Sequence, residues 1–144
     1  MIVADTGALL ALFDRGDRHH DAVRRLYEGD PDEWVLPWAI LPEVDYLTAA
    51  HLGRRAQDLW LADLASGAFS VEWGRPDDLA VAARICRRYK DLRVGLVDAV
   101  VIAVAERLRA TAIVTLDMKH FGAIAIKGKP RLLPRDAGTA PGTD

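Results

Sequence analysis

The sequence contains a single cysteine, Cys86, in 144 residues. An intramolecular disulfide and any site built on several thiolates are therefore excluded. Long hydrophobic runs are also missing, since the central stretch AVVIAVA is far too short to span a bilayer. The opening MIVADTG has no basic segment followed by an apolar stretch and a cleavage site, so no signal peptide is predicted. These absences favour a cytoplasmic protein with no membrane contact.

The chain also lacks a large excess of charge of one sign. Its formal net charge is −2, so a general affinity for nucleic acid through bulk charge is excluded. Any binding of RNA would have to use local basic patches. Hydrophobic residues make up 51% of the sequence, which is enough for a packed core and unlike a disordered composition.

Short apolar runs alternate with helical patterns along most of the chain. This alternation predicts an α/β fold in which helices cover a mostly parallel sheet. Five strands are predicted, with the third and the fifth at the edges of the sheet, in residues 1–4, 33–37, 68–73, 111–116 and 123–127. Residues 1–133 are predicted to form one domain. Residues 134–144 have no aliphatic side chain larger than alanine, so they are predicted to be a flexible tail that folding does not need.

Four acidic residues occupy related places in this pattern. Asp5 directly follows the first strand, and Asp117 follows the fourth. Glu43 lies in the first turn of the helix after the second strand. Because parallel strands end at one edge of a sheet, these three side chains are expected to lie there together. Asp98, near the start of the apolar helix before the fourth strand, joins them only if that helix begins at the same edge.

Each acid also has a purely structural interpretation. Asp5 could cap the helix that follows it, Glu43 could be an ordinary first-turn glutamate, and Asp117 could form a turn. Asp98 is harder to explain in this way, because a lone carboxylate in an apolar helix is unfavourable unless it is paired or bound to metal. Its structural interpretation is that of a first-turn acid at the end of the helix.

Carboxylates that cluster repel one another, and a site that keeps them together usually contains a cation. Oxygen ligands without thiolates favour Mg²⁺ or Mn²⁺ over zinc. Such ions can activate water for the hydrolysis of a phosphodiester bond.

The segments that carry these acids resemble the four acidic motifs of PIN-domain nucleases, and in particular of the VapC toxins of type II toxin–antitoxin pairs. In order they are IVADTGALLALF, PEVDYL, GLVDAVVIAVAERL and TLDMKHF, and the resemblance covers residues 1 to about 126. It implies that four carboxylates bind metal and take part in catalysis: Asp5, Glu43, Asp98 and Asp117. It also implies that Thr6 and Thr115 place hydroxyl groups beside the metal.

The resemblance further implies a three-layer α/β/α fold with a five-stranded sheet and an Mg²⁺- or Mn²⁺-dependent endoribonuclease. Such a toxin would cut cellular RNA, inhibit translation or growth, form a homodimer, and bind a small VapB-like antitoxin that plugs the acidic pocket. Lys119 and His120 follow Asp117 closely, so they are the candidates for contacting a substrate phosphate. A packing role in the turn KHF is the equal alternative for His120.

Other functions remain open at this stage. A PIN-type nuclease could act on DNA or in general RNA processing, and a protein of this fold could be a binding module without catalysis. Two further classes with acids at strand ends fit poorly. A haloacid-type phosphatase needs a second aspartate where Gly7 stands, and a receiver domain needs a paired acid where Ala4 precedes Asp5.

Overall fold

The sheet contains five short strands, all parallel, in the computed structural model, which describes residues 1–138. Their bounds are Ile2–Ala4 (β1), Trp34–Pro37 (β2), Ser70–Glu72 (β3), Ala112–Val114 (β4) and Arg131–Leu133 (β5). The order across the sheet is β3-β2-β1-β4-β5. In this register Val3 of β1 lies between Val35 of β2 and Ile113 of β4. The predicted sheet is confirmed, and every pairing in it is parallel.

Seven α-helices connect these strands within the described residues. They are Thr6–Phe13 (α1), His20–Gly29 (α2), Leu41–Leu52 (α3), Arg54–Ser66 (α4), Pro76–Arg88 (α5), Leu96–Leu108 (α6) and Met118–Phe121 (α7). α1 packs on α2 and α3, α3 packs on α4, and α5 packs on α6. The chain passes from β1 to β2 to β3 and then back across the sheet to β4. Right-handed crossovers therefore put α1–α4 on one face and α5–α6 on the other, which confirms the three-layer fold.

α6 lies in the interior because its sequence is apolar on nearly every side. Its residues from Ala99 to Ala105 are all buried, and Val100, Val101 and Ile102 are fully so. The helix packs against α5 and against the central strand β1. Its first turn points to the sheet edge where the strands end, and this placement decides where Asp98 lies.

The predicted fifth strand at residues 123–127 is wrong, because the fifth strand is β5, formed by Arg131–Leu133. The alternation in the sequence is real, since Ile124 and Ile126 are buried while Ala125 is exposed. The backbone N–H groups, however, bind side chains. Ala125 N donates to the Tyr89 hydroxyl at 3.1 Å, and Lys127 N donates to Glu106 Oε2 at 2.9 Å. This loop, residues 123–127, thus covers the core without entering the hydrogen-bond ladder.

An ion-pair network joins the edge strand β3 to the helices behind the sheet. Arg107 of α6 donates from Nε and Nη2 to the two oxygens of Asp78 at 2.8 and 3.0 Å, and from Nη2 to Glu72 at 2.7 Å. Asp78 is 3% exposed and also accepts a hydrogen bond from Arg75 N at the start of α5. Burial disfavours its charge, but the hydrogen bonds from Arg107 and Arg75 outweigh this and lower the pKa of Asp78.

The chain continues beyond β5 as a turn. Asp136 accepts a hydrogen bond from Leu132 N through Oδ2 at 2.8 Å and donates from its own N–H to Leu132 O at 2.8 Å. The first part of the predicted tail, residues 134–138, is thereby tied to the last strand, and residues 139–144 of the predicted tail lie outside the described residues. Within residues 1–138, no helix is long and apolar enough to cross a membrane.

Candidate active site

The strand order reverses between β1 and β4, and two of the four acids follow these neighbouring strands. Such a reversal opens a crevice at the carboxyl ends of the strands. Asp5 follows β1, and its backbone N–H donates to Val114 O of β4 at 3.0 Å. Asp117 lies three residues beyond the end of β4 and caps the start of α7. The two acids thus come from adjacent strands, 112 residues apart in sequence, as the parallel-sheet argument predicted.

Asp5 both caps a helix and faces the crevice. Its Oδ1 accepts a hydrogen bond from Thr6 N at 2.8 Å, at the start of α1, and its Oδ2 accepts one from Thr115 Oγ1 at 2.9 Å. Thr115 Oγ1 in turn accepts from Asp117 N at 3.1 Å. The carboxylate is only 5% exposed, so these two bonds fix its orientation. The capping interpretation and the cluster interpretation of Asp5 are therefore both correct.

Glu43 and Asp98 complete the acidic wall of a cleft of about 570 Å³, here called the acidic cleft. Glu43 lies in the first turn of α3, behind Pro42, and Asp98 lies in the first turn of α6. All four acids line this cleft, together with Thr6 and apolar side chains from α1, α3 and α6. Asp45 does not line it, because its carboxylate accepts from Gln57 Nε2 at 3.1 and 3.2 Å.

His120 joins Asp98 to Asp117. Its Nδ1 lies 3.0 Å from Asp98 Oδ2 and 2.9 Å from Asp117 Oδ2, while its backbone N–H donates to Asp117 Oδ1 at 3.0 Å. Its Nε2 lies 2.8 Å from Leu92 O. A carbonyl oxygen only accepts, so Nε2 carries a hydrogen, and Nδ1 between two carboxylates is best bonded when it carries one too. The geometry therefore favours the imidazolium form.

The electrostatics of the cluster follow from this packing. Burial, supported by the charge of Asp98, raises the pKa of Asp5 from 3.8 to about 7. Burial and the charge of Asp117 raise the pKa of Asp98, against the opposing effect of His120. Burial acts to lower the pKa of His120, but the Leu92 carbonyl and the charge of Asp117 outweigh it and raise this pKa. Without a cation, Asp5 and Asp98 therefore hold their protons more tightly than isolated carboxyl groups do.

The donor set fits a divalent metal ion. Carboxylate oxygens are the preferred ligands of Mg²⁺ and Mn²⁺. Among the described residues, the buried Thr6 hydroxyl has no hydrogen-bond partner, although Thr6 lines the acidic cleft. A buried hydroxyl without a partner is unfavourable, and a ligand or its bound water in the cleft would satisfy it.

The remaining predicted residues occupy different environments. Lys119 is exposed and is not part of the cleft lining, although it is close to Asp117 in sequence. Both ring nitrogens of His120 are engaged within the protein, whereas a contact with phosphate needs a free N–H. Sequence reasoning missed the Leu92 carbonyl that anchors this ring and the apolar wall formed by Leu10, Leu47 and Leu96. No motif marks these positions, since they depend on how α1, α3 and α6 meet.

Comparison with known proteins gives the family of this fold and site. The PIN domain family profile matches residues 2–127, which include all four acids. The chain is 37% identical over 123 residues to Ribonuclease VapC26 from Mycobacterium tuberculosis, in an alignment that covers 85% of this chain and 91% of the relative. The crystal structure of VapC20 from the same organism, a Sarcin-Ricin loop cleaving toxin, matches with a TM-score of 0.71 and 26% identity, covering 78% of this chain and 87% of VapC20.

Two further solved structures share the fold at lower identity. A toxin–antitoxin complex from Klebsiella pneumoniae matches with a TM-score of 0.64 and 21% identity over 86% of this chain and 92% of that chain. FitAcB from Neisseria gonorrhoeae matches with a TM-score of 0.63 and 17% identity over 92% of this chain and 96% of that chain. The profile match, the sequence identity and the fold agree, and the chain belongs to the PIN domain family.

Proposed function

We propose that this protein is a metal-dependent endoribonuclease and the toxin of a toxin–antitoxin pair. The observation that carries the proposal is the acidic cleft, where Asp5, Glu43, Asp98 and Asp117 converge at the strand reversal of the sheet. The similarity to Ribonuclease VapC26 supports RNA as the substrate. The similarity to a toxin that cleaves the sarcin–ricin loop supports the toxin role.

The four carboxylates would hold Mg²⁺ or Mn²⁺, with the Thr6 hydroxyl available to the ion or to its bound water. When bound, the metal supplies an activated water and stabilises the charge that develops on the phosphate. Thr115 orients Asp5, and its bond to Asp117 N sets the distance between these two acids. Lys119, exposed just beyond Asp117, is the proposed contact for a phosphate oxygen of the substrate.

His120 is proposed to position the acids. It holds both oxygens of Asp117 and one oxygen of Asp98, and Leu92 O fixes the far side of its ring. Groups that orient metal-binding carboxylates in this way usually raise metal affinity by 10–100-fold. The imidazolium also offsets part of the repulsion between Asp98 and Asp117 in the absence of metal.

The proposed partners are the RNA substrate, a small VapB-like antitoxin and a second copy of this chain. The acidic cleft is open to the surface, so a basic segment of an antitoxin could enter it and block the acids. Support for a homodimer comes from large apolar side chains that stand exposed on helices: Tyr46 of α3 is 72% exposed and Leu59 of α4 is 62% exposed. Since α3 packs on α4, both side chains lie on neighbouring helices and are available to a second copy of the chain.

A cleavage assay tests the proposed activity. Purified protein is incubated with RNA and with DNA of the same sequence, in Mg²⁺, in Mn²⁺ and in excess chelator. The RNA set includes a sarcin–ricin hairpin, because VapC20 cleaves that loop. RNA cleavage that requires metal is expected. Cleavage of DNA alone would favour the alternative nuclease function, and unimpaired RNA cleavage in chelator would exclude the metal mechanism.

Matched variants separate the acids of the site from other acids. Asp98→Asn keeps the size of the side chain and removes one proposed ligand, so cleavage should fall by at least about a hundredfold. Asp45→Asn is the control, since Asp45 lies two residues from Glu43 but contacts Gln57 outside the cleft. The control should cleave like the wild type. A non-catalytic binding module would show no cleavage by the wild type while still binding metal in a calorimetric titration.

A further inference from the structure

A second cleft lies between the end of α5 and the loop of residues 123–127. It has a volume of about 550 Å³ and is here called the basic cleft. Arg84 and Arg88, one helical turn apart on α5, line one side, and Lys127 lines the other. The floor is apolar and includes Ile85 and Ile126. The cleft thus presents three cations around an apolar surface, a combination that can contact backbone phosphates at its rim.

The charges of this cleft are available to a ligand. Within residues 1–138, Arg84, Arg88 and Lys127 form no ion pair. Glu106, the acid in the cleft, already accepts a hydrogen bond from Lys127 N at 2.9 Å. The Arg88 guanidinium lies 5.3 Å from the centroid of the Tyr89 ring, a cation–π contact that limits its motion. A cation that is already ordered loses less entropy when it binds an anion.

Two chain segments connect the basic cleft to the acidic cleft. Tyr89 accepts a hydrogen bond from Ala125 N in the basic cleft, and three residues later Leu92 O binds His120 at the acids. The segment between them contains the 3₁₀ turn Lys90–Leu92, so the backbone advances by only about 6 Å from Tyr89 to Leu92. On the other side, residues 120 to 125 make the same connection. The two clefts are therefore neighbours in the structure, with these two short segments between them.

The negative charge of the acidic cleft means that RNA must be attracted by cations elsewhere on the protein. The protein has a net charge of −2, and the acidic cleft repels phosphates until metal is bound. The affinity of proteins for nucleic acid comes largely from cations that contact the backbone. We propose that the basic cleft binds backbone phosphates of single-stranded RNA, a few nucleotides from the bond that is cut. This inference rests on the proposed ribonuclease function and names how its substrate is held.

A binding assay without catalysis tests the inference. The probe is a fluorescein-labelled single-stranded RNA of about 14 nucleotides, long enough to span both clefts, and the readout is anisotropy in excess chelator. The test variant is Arg84→Ala, Arg88→Ala and Lys127→Ala combined. The matched control removes three exposed arginines that line neither cleft, as Arg15→Ala, Arg54→Ala and Arg55→Ala combined. All these side chains are on the surface, and thermal melts confirm that each variant is folded.

The salt dependence gives the expected result. Each phosphate contact in single-stranded RNA contributes about 0.7 to the slope of log K against log salt, so the test variant should have a slope shallower by about 2. Between about 50 and 200 mM salt, the wild type should lose about 15-fold more affinity than the test variant. The control triple should keep a steeper slope than the test variant, because its three arginines lie outside the basic cleft and Arg54 forms only an exposed ion pair with Asp58.

Two outcomes overturn the inference. One is an unchanged slope and affinity in the test variant, which would also be the result if the cleft served an acidic protein partner. The other is an equal loss in the test and control variants, which would show a general charge effect. Failure of the proposed function is recognised separately: wild type that binds RNA through the basic cleft but cleaves no RNA with Mg²⁺ or Mn²⁺ would remove the nuclease activity and leave the binding site.

Discussion

The clearest quantitative consequence of the acidic cleft concerns Asp5→Asn in the absence of metal. The pKa of Asp5 is raised from 3.8 to about 7, chiefly by burial, so the folded protein holds this proton better than the unfolded chain. The proton on Asp5 thus stabilises the folded protein. This contribution to the free energy of unfolding is fully present below pH 3.8 and is lost as the pH rises from there to about 7. At pH 8 the free energy of unfolding of the wild type is lower by about 4 kcal/mol for this reason. Asp5→Asn has no carboxyl group at this position, so its stability does not fall in this way.

The amide substitution itself has a smaller opposing effect. Its carbonyl can still accept from Thr6 N and its NH₂ can donate to Thr115 Oγ1, so the exchange should cost only about 1 kcal/mol. In chelator at pH 8, Asp5→Asn should therefore be more stable than the wild type by about 3 kcal/mol, roughly 10 °C in melting temperature for a domain of this size. At pH 4 the order should reverse slightly, because the folded wild type is protonated at Asp5.

Thermal melts at pH 4 and pH 8, with chelator and with Mg²⁺ or Mn²⁺, measure this effect. Asp58→Asn on the exposed surface of α4 is the control. It removes only an exposed ion pair with Arg54 at 3.9 Å, which contributes little, so it should melt nearly like the wild type at both pH values. Metal at a hundred times its dissociation constant adds about 2.7 kcal/mol to the free energy of unfolding of the wild type alone. The stability difference between the two proteins at pH 8 should therefore nearly disappear. If the stability difference between Asp5→Asn and the wild type in chelator is the same at pH 4 and pH 8, the charge of Asp5 is not unfavourable without metal and the reasoning is refuted.

Four other outcomes follow from the structure. Arg107→Ala leaves the buried Asp78 charge unpaired and should lower the free energy of unfolding by about 3 kcal/mol, with Arg107→Lys intermediate in denaturant titrations. His120→Gln should weaken metal binding about tenfold in calorimetry while the protein stays folded. Removal of residues 139–144 should leave the melting temperature unchanged, whereas removal of residues 134–144 should lower it, because the Asp136 bonds to Leu132 are lost. Light scattering at micromolar concentration should give the mass of two chains, and a monomer mass would contradict the proposed dimer.

The sheet was largely predictable because β1, β2 and β4 are short apolar runs and the segment that contains β3 alternates as an edge strand does. The fifth strand was not. Residues 123–127 alternate as an edge strand does, but Tyr89 and Glu106 bind their N–H groups. The strand is in fact Arg131–Leu133, which pairs with β4 through backbone hydrogen bonds. Three residues are too few to show the alternation of side chains that marks a strand. A pattern of side chains reports which residues are buried, and it does not report what their backbone binds.

The acids of the cleft were predictable to different degrees. Asp5, Glu43 and Asp117 follow strands, so their shared edge could be worked out from local sequence. Asp98 follows no strand, and its position is set by the packing of α6 on α5 and β1, which depends on the whole fold. The bond from His120 to Leu92 O joins residues 28 positions apart, and a backbone carbonyl carries no sequence signal at all.

The two outermost strands also limit how copies of this protein can associate. β3 and β5 contain three residues each, and β5 is followed at once by Pro134, which has no N–H to offer a neighbouring chain. Short edges of this kind give little backbone for another strand to pair with. A continuous sheet shared between two molecules is therefore unfavourable, as is its extension into fibrils. The proposed dimer would instead use side chains on the helices, and substitution of Tyr46 or Leu59 would test this without disturbing the strands that precede Asp5 and Asp117.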